Sequence, residues 1–417
     1  MTAAVRPLTV PGDKSIAHRV LIFAALAHGT SRLRNLPAGL DVLSTQRALR
    51  ALGADLRTEG TLLAVTGCAG TFAAPSEPID CGNSGTTIRL LAGVLATRGG
   101  TVTLDGDASL RARPMRRVAT PLAAFGARFE LSPNGTAPIV VHGNPDARGS
   151  AIAITIASAQ LKSAVLLAAL GARGRTRLTG ELRTRDHTER LLGAFGVNCA
   201  FEEDTLVLDG PAPLHAADVD VPGDISSAAF LLAAAAIVPG ARVTIEDVGL
   251  NPTRTAFLDV LRRFGAHVET TLTGEGAEPR GRIDVRGAAL NAIAVAPHEV
   301  AALIDELPLV GVIGAFAHGV TTVRGAAELR VKESDRIESF AAAARALGVE
   351  VETAPDGFAV HGPARFHSGD VATHGDHRIA MAFSVAARAA GVEARLDDPD
   401  CSAVSFPGFA AALERVG

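Results

Sequence analysis

Three short stretches gather cations, hydroxyls and amides immediately ahead of apolar runs. Lys14, Ser15 and Arg19 stand in "PGDKSIAHR", Asn83 to Thr87 precede Arg89 in "GNSGTTIRLL", and Ser158 and Gln160 open "SAQLKSAVLLAAL". Free backbone N–H groups and hydroxyls at the start of a helix suit an anion. A single such start is more often an ordinary N-cap. Several starts that also carry Lys or Arg point instead to a phosphate or carboxylate ligand. The first stretch is not a phosphate loop: Asp13 separates Gly12 from Lys14, and Arg6 to Val10 contain no glycine.

Acids and cations are mixed further along the chain. "LRVKESDRI" packs Arg330, Lys332, Glu333, Asp335 and Arg336 together, and at helical spacing Lys332 and Arg336 share a face with Glu333 beside them. "GDHRIAMAFS" sets Asp376, His377 and Arg378 before an apolar run, and Asp305-Glu306 does the same before "LPLVGVIGAF". "GDASLRARPM", with Arg111 and Arg113, is either an exposed basic loop or a clamp on an oxyanion. An acid among so many cations stays ionised, as a general base must.

The elements that must hold these groups repeat. Helix starts fall near Lys14, Ser84, Ser158, Ile225, Asp305 and Asp376, about seventy residues apart. Most units continue with a second helix ending in glycine (Gly53, Gly126, Gly196, Gly265, Gly348) and then a hairpin-like alternation, as in "VEVETAPDGFAVHG", that closes on glycine. Six α/β units result. The sixth lacks its hairpin, and a lone strand-like piece, "VRPLTVPG", opens the chain, so that strand is expected to complete the sixth unit's sheet. The expected domains are 13–221, continuous, and 1–12 plus 222–417, discontinuous. "VPGD" at Val10 and again at Val221 marks the two crossings, expected to act as hinges.

Composition excludes other classes. A chain of 417 residues exceeds one core, and 47% hydrophobic against 20% charged residues describes a globular protein. A net charge of −4 with no Tyr or Trp argues against nucleic-acid binding. The four cysteines show no metal spacing, and no apolar run suffices to span a bilayer or to form a signal peptide. The expectation is a cytoplasmic monomer without metal, cofactor or membrane partner.

The quoted motifs, with "TRDHTERLL" and the final "SFPGF", resemble the 5-enolpyruvylshikimate-3-phosphate synthase family in order and over essentially the whole chain. The resemblance implies an α/β fold of two similar domains, each of three repeated units with mixed sheets outside and helices inside, closing over the substrates. It implies transfer of the enolpyruvyl group of phosphoenolpyruvate to the 5-hydroxyl of shikimate-3-phosphate, with loss of phosphate and no cofactor. Ser15, Arg19, Ser158, Ala159, Gln160, Thr184, Asp305 and Lys332 match the shikimate-3-phosphate positions. Lys14, Asn83, Gly85, Arg113, Gln160, Arg336 and Arg378 match the phosphoenolpyruvate positions, and Lys14, Asp305 and Glu333 the catalytic ones.

Three departures stand out. Val404 occupies a position where some members carry Lys, leaving a phosphate contact or proton donor to be supplied elsewhere, with Lys162 as the candidate. Ala159 replaces a second Ser of many members. Gly85 stands where glyphosate-tolerant members carry Ala, which predicts sensitivity. A UDP-N-acetylglucosamine enolpyruvyl transferase is the enzyme alternative, disfavoured because "GDASLRARPM" holds no Cys. An anion-binding repeat protein is the other, disfavoured because "VPGDISSAAF" lacks the Lys and Arg of the first copy.

Overall fold

The computed structural model describes residues 6–73 and 75–416. Six largely apolar helices organise it: α1 (Lys14–Leu26), α2 (Gly85–Ala96), α3 (Ala159–Ala169), α4 (Ile225–Ala236), α5 (Leu307–Phe316) and α6 (His377–Ala390). They are buried on nearly all sides, as their composition requires. Four starts are set by a side chain accepting a backbone N–H. Ser84 accepts from Thr87 (3.2 Å), Ser158 from Leu161 (3.4 Å), Asp224 from Ser226 (2.9 Å) and Asp376 from Arg378 (2.9 Å).

The chain divides into two compact units, 14–221 and 1–13 with 222–417. Asp13 groups with the discontinuous unit, where its N–H donates to the Pro222 carbonyl at 2.8 Å. In the same unit the two VPGD segments run side by side, Gly12 bridging Gly223 antiparallel and Asp224 N–H donating to Pro11.

The 14–221 unit carries three four-stranded sheets of one design. The first orders its strands 219–220, 30–34, 62–66 and 55–59; the second, 79–80, 101–105, 139–142 and 128–131; the third, 151–154, 174–180, 205–210 and 200–202. In each, the first pair is parallel and the rest antiparallel. Strand Thr30–Arg34 alternates exposed and buried residues, so one face meets the helices and the other meets solvent. The five glycines that end the second helices take φ of 81° to 114°, a left-handed turn that costs glycine little.

A second glycine in the repeat has a steric reason. Gly67, Gly143, Gly210, Gly287 and Gly362 end their hairpins directly against the last carbonyls of α1, α2, α3, α4 and α5, where a β-carbon would overlap the oxygen. The strand end thereby reaches the helix C-terminus and caps it. Cys68 N–H donates to the Ala25 carbonyl (2.9 Å), Asn144 N–H to Ala96 (2.9 Å) and Ala212 N–H to Leu170 (3.0 Å).

One expectation is corrected in the discontinuous unit. The N-terminal strand joins the fourth unit's sheet rather than the sixth's: Leu8 bridges Ile245 in parallel, beside strands 242–249, 279–286 and 267–275. This pairing repeats the parallel-first design and buries Leu8 and Val10 in the core. The sixth unit keeps only its parallel pair, 369–371 with 394–396. Its missing hairpin is replaced by the 3-10 turn Pro399–Val404 and helix Phe409–Glu414, whose Phe409 ring meets Phe230 edge-on at 5.9 Å.

Candidate active site

In the 14–221 unit, the polar groups gather at the N-terminal ends of α1, α2 and α3. Lys14, the first residue of α1, holds its Nζ 3.2 Å from Asp41 Oδ2, and His18 Nε2 lies 3.7 Å from the same oxygen. Burial alone would raise the Asp41 carboxyl, but Lys14 and His18 more than offset it and hold the group well below the usual carboxylate range. A hydroxyl chain ties the helices together, from His18 Nδ1 to Thr45 (2.6 Å), Thr87 (2.6 Å) and Ser84 (2.7 Å).

Arg19 is buried and braces the entrance. Its Nη1 donates to the Ser15 carbonyl (2.7 Å), Nε to Thr188 (2.8 Å) and Nη2 to Ser163 (2.7 Å). Arg89 Nη1 donates to Gln160 Oε1 (2.6 Å), whose amide donates to Thr86 (2.9 Å). Arg113, 7% exposed, donates to Ser109 at 3.2 Å. A β-carbon on Gly85 would lie 2.9 Å from Arg89 Nη1 and 3.1 Å from Arg113 Nη1, so two guanidinium groups meet over the bare glycine at the start of α2. Asn83 precedes that start, Ser158 and Ala159 open α3, and the Thr184 hydroxyl is buried without a protein partner among the described residues.

Lys162 does not take the role considered for it. Its side chain is 1% exposed, with Nζ 2.6 Å from Glu189 Oε1 and donating to the Leu182 (3.2 Å) and Thr184 (3.4 Å) carbonyls. It is a buried strut behind the Thr184 turn, with no donor left for a phosphate. Val404 sits in the 3-10 turn that stands in for a hairpin.

In the discontinuous unit, acids converge on the guanidinium of Arg336, 1% exposed. Asp376 accepts from Nε (2.8 Å) and Nη2 (3.2 Å), Glu333 from Nη2 (2.6 Å) and Asp305 from Nη1 (3.5 Å). Arg378 donates to Ser226 (2.7 Å) and the Asp305 carbonyl (3.2 Å), and lies 3.7 Å from Glu306; Ser226 in turn donates to Glu306. Burial pushes the Lys332 ammonium below its ordinary value, beyond what Asp305 and Glu333 restore, and Arg336 adds to the push.

The helical reading of "LRVKESDRI" is corrected. Residues Ala327–Val331 form a 3-10 turn, 332–335 are irregular, and the helix begins at Arg336, capped by Asp335, which accepts from Ile337 (3.1 Å) and Glu338 (3.2 Å). Glu333 therefore reaches Arg336 from a turn, which aims the acid and the cation together without a shared helix face. Asp41 contacts Lys14 from outside any quoted motif, whereas Thr188 and Ser226 lie within "TRDHTERLL" and "VPGDISSAAF" without being singled out there; Asp376 and Arg89 were visible at unit entrances.

The fold is similar to that of the enolpyruvyl transferase NikO from Streptomyces tendae (TM-score 0.79, 19% identity, 99% of this chain and 94% of that one). The family model described as EPSP synthase (3-phosphoshikimate 1-carboxyvinyltransferase) matches residues 3–413. The chain is 46% identical over 419 residues to the 3-phosphoshikimate 1-carboxyvinyltransferase of Xanthomonas campestris, covering 100% of this chain and 95% of that one. It is 47% identical over 410 residues to the Thermotoga neapolitana enzyme (98% and 96%). EPSP synthase from Acinetobacter baumannii superposes with a TM-score of 0.85 at 38% identity (99% and 95%). This chain belongs to the EPSP synthase family.

Proposed function

We propose that the protein transfers the enolpyruvyl group of phosphoenolpyruvate to the 5-hydroxyl of shikimate-3-phosphate, releasing phosphate. The observation that carries this reading is that the two units carry two different kinds of polar cluster. One unit gathers Lys14, Arg89 and Arg113 with hydroxyls at helix N-termini, a setting for anions. The other gathers Asp305, Glu333 and Asp376 around Arg336, a setting for proton transfer. Ser15, Arg19, Ser158, Gln160, Thr184 and Lys332 serve shikimate-3-phosphate, with Ala159 contributing backbone only. Lys14, Asn83, Gly85, Arg113, Arg336 and Arg378 serve phosphoenolpyruvate.

Asp305, 3.5 Å from Arg336, takes the proton of the 5-hydroxyl as the hydroxyl oxygen bonds C2 of phosphoenolpyruvate. C3 gains a proton in the same addition, delivered from the Glu333 or Lys14 side. The resulting tetrahedral intermediate then returns a C3 proton to the group that supplied it as the C2–O bond to phosphate breaks and the double bond re-forms; the proton taken by Asp305 leaves with the phosphate, and both groups are restored. The cations neutralise the donor's carboxylate and the departing phosphate and stabilise charge as it develops.

The test is phosphate release from phosphoenolpyruvate. It should depend on shikimate-3-phosphate, not proceed with UDP-N-acetylglucosamine, and fall at least about a hundredfold in Glu333→Ala and Lys14→Ala proteins that still fold. Turnover with the sugar nucleotide instead would refute the assignment.

A further inference from the structure

The C-terminal ends of α1, α2 and α3 enclose something the reaction does not use. A cavity of about 720 Å³ opens there, with Leu26, Leu52, Leu95, Leu170 and Leu214 among its walls. It lies a helix length from the Gly85 entrance, about 18 Å for the twelve residues of α2. Its size is that of a small-molecule pocket.

Among the described residues, Arg98 is the only Arg, Lys, Asp or Glu in its lining. Among the described residues no carboxylate pairs with it. Nη1 makes two long bonds within its own turn, to the Thr97 carbonyl (3.4 Å) and hydroxyl (3.3 Å), and Nε is buried without a partner. Burial pushes the guanidinium below its ordinary value, opposed only by Cys68. Gly171, at the end of α3, makes room for it, because a β-carbon there would overlap Nη1.

Neutralising helix C-termini would be the simplest purpose for such a cation. Those termini are already capped, however, by backbone N–H groups of Cys68, Asn144 and Ala212. A half-buried guanidinium with only two long bonds to Thr97 and no carboxylate is costly, and a ligand carboxylate would relieve it with charge-assisted, bidentate geometry.

We propose that this cavity binds an apolar carboxylate, an aromatic or branched aliphatic acid of about ten to fifteen non-hydrogen atoms. The carboxylate meets Arg98, and the hydrocarbon lies against the leucines.

Calorimetric titration of the full-length protein with 3-phenylpropanoate, and with neutral 3-phenylpropanamide as control, tests this. The acid should saturate with a dissociation constant of about 1 mM or tighter, and the amide should bind at least about tenfold more weakly. Arg98→Gln should abolish that preference, whereas Arg113→Gln should leave it intact, which separates this cavity from the substrate cations. Gly171→Ala, which displaces the guanidinium without removing it, should weaken the acid selectively. Equal affinity for acid and amide, no saturation by about 10 mM, or a preference that survives in Arg98→Gln would each overturn the proposal. Should the variants fail to fold, the same titration of the unaltered protein saturated with shikimate-3-phosphate keeps the proposal falsifiable: an acid held by Arg98 should still bind in preference to the amide, and loss of that preference would overturn the proposal.

Discussion

Removing the ammonium of Lys162 separates two roles that the sequence leaves open. Lys162→Met keeps the length of the side chain and deletes the charge, leaving Glu189 with 10% of its side chain exposed and its 2.6 Å partner gone. The Leu182 and Thr184 carbonyls lose a donor as well. Breaking one side of a buried pair costs about 3–5 kcal/mol. For a unit the size of 14–221, each kcal/mol shifts the midpoint by roughly 2–4 °C, so Tm should fall by roughly 6–20 °C. Lys162→Met with Glu189→Leu removes both charges, and should recover most of the loss because no orphan carboxylate remains. Calorimetric or circular-dichroism melts of the wild type, both single variants and the double variant close the cycle. Steady-state assays report the second consequence, a raised KM for shikimate-3-phosphate from a loosened Thr184 turn, at a temperature where the variant is folded. An unchanged Tm in Lys162→Met with a raised KM would refute the strut and restore a direct phosphate contact.

Gly85→Ala places a β-carbon 2.9 and 3.1 Å from two guanidinium ends, which can move, so the fold survives while the cations shift. The KM for phosphoenolpyruvate should rise roughly ten- to hundredfold and glyphosate inhibition should weaken, with the KM for shikimate-3-phosphate within about twofold; unchanged phosphoenolpyruvate kinetics would contradict this. Asp224 tests the buried acids at the paired VPGD segments. Burial, with Asp13 adding and Arg254 and Arg378 opposing, raises its carboxyl to about 6. A carboxyl raised on folding contributes stability below its unfolded value of about 3.9 and loses it as pH rises through about 6. Asp224→Asn, able to keep the cap on Ser226, should therefore gain Tm relative to wild type at pH 8 compared with pH 4. The same difference at both pH values would exclude a raised carboxyl.

The repeat was legible because it is local. Helix N-caps, left-handed C-terminal glycines and hairpin alternation are set within a few residues, so the six central helices begin within two residues of the positions expected from the sequence. The cationic entrances at Lys14, Gly85 and Arg378 were visible for the same reason: each is a short motif at a helix start. Strand partnership was not local. Whether "VRPLTVPG" joins the fourth or the sixth sheet depends on which edge buries Leu8 and Val10, and those edges lie in segments more than two hundred residues away.

Residue types and spacing alone determined that this chain is an array of α/β units carrying cationic, hydroxyl-rich entrances and an acid-rich turn. Only the tertiary structure decided which charges are spent on one another. Lys162 looks like a free cation in the sequence and is consumed by Glu189. Arg98 looks unremarkable and is left over in a cavity. Glu333 and Arg336 look like helical neighbours and instead meet through an irregular turn, with Asp376 completing the pair from forty residues further on. The physical reason is that a buried charge is governed by its partners in space, and the desolvation that makes those partners obligatory exists only once the chain has folded.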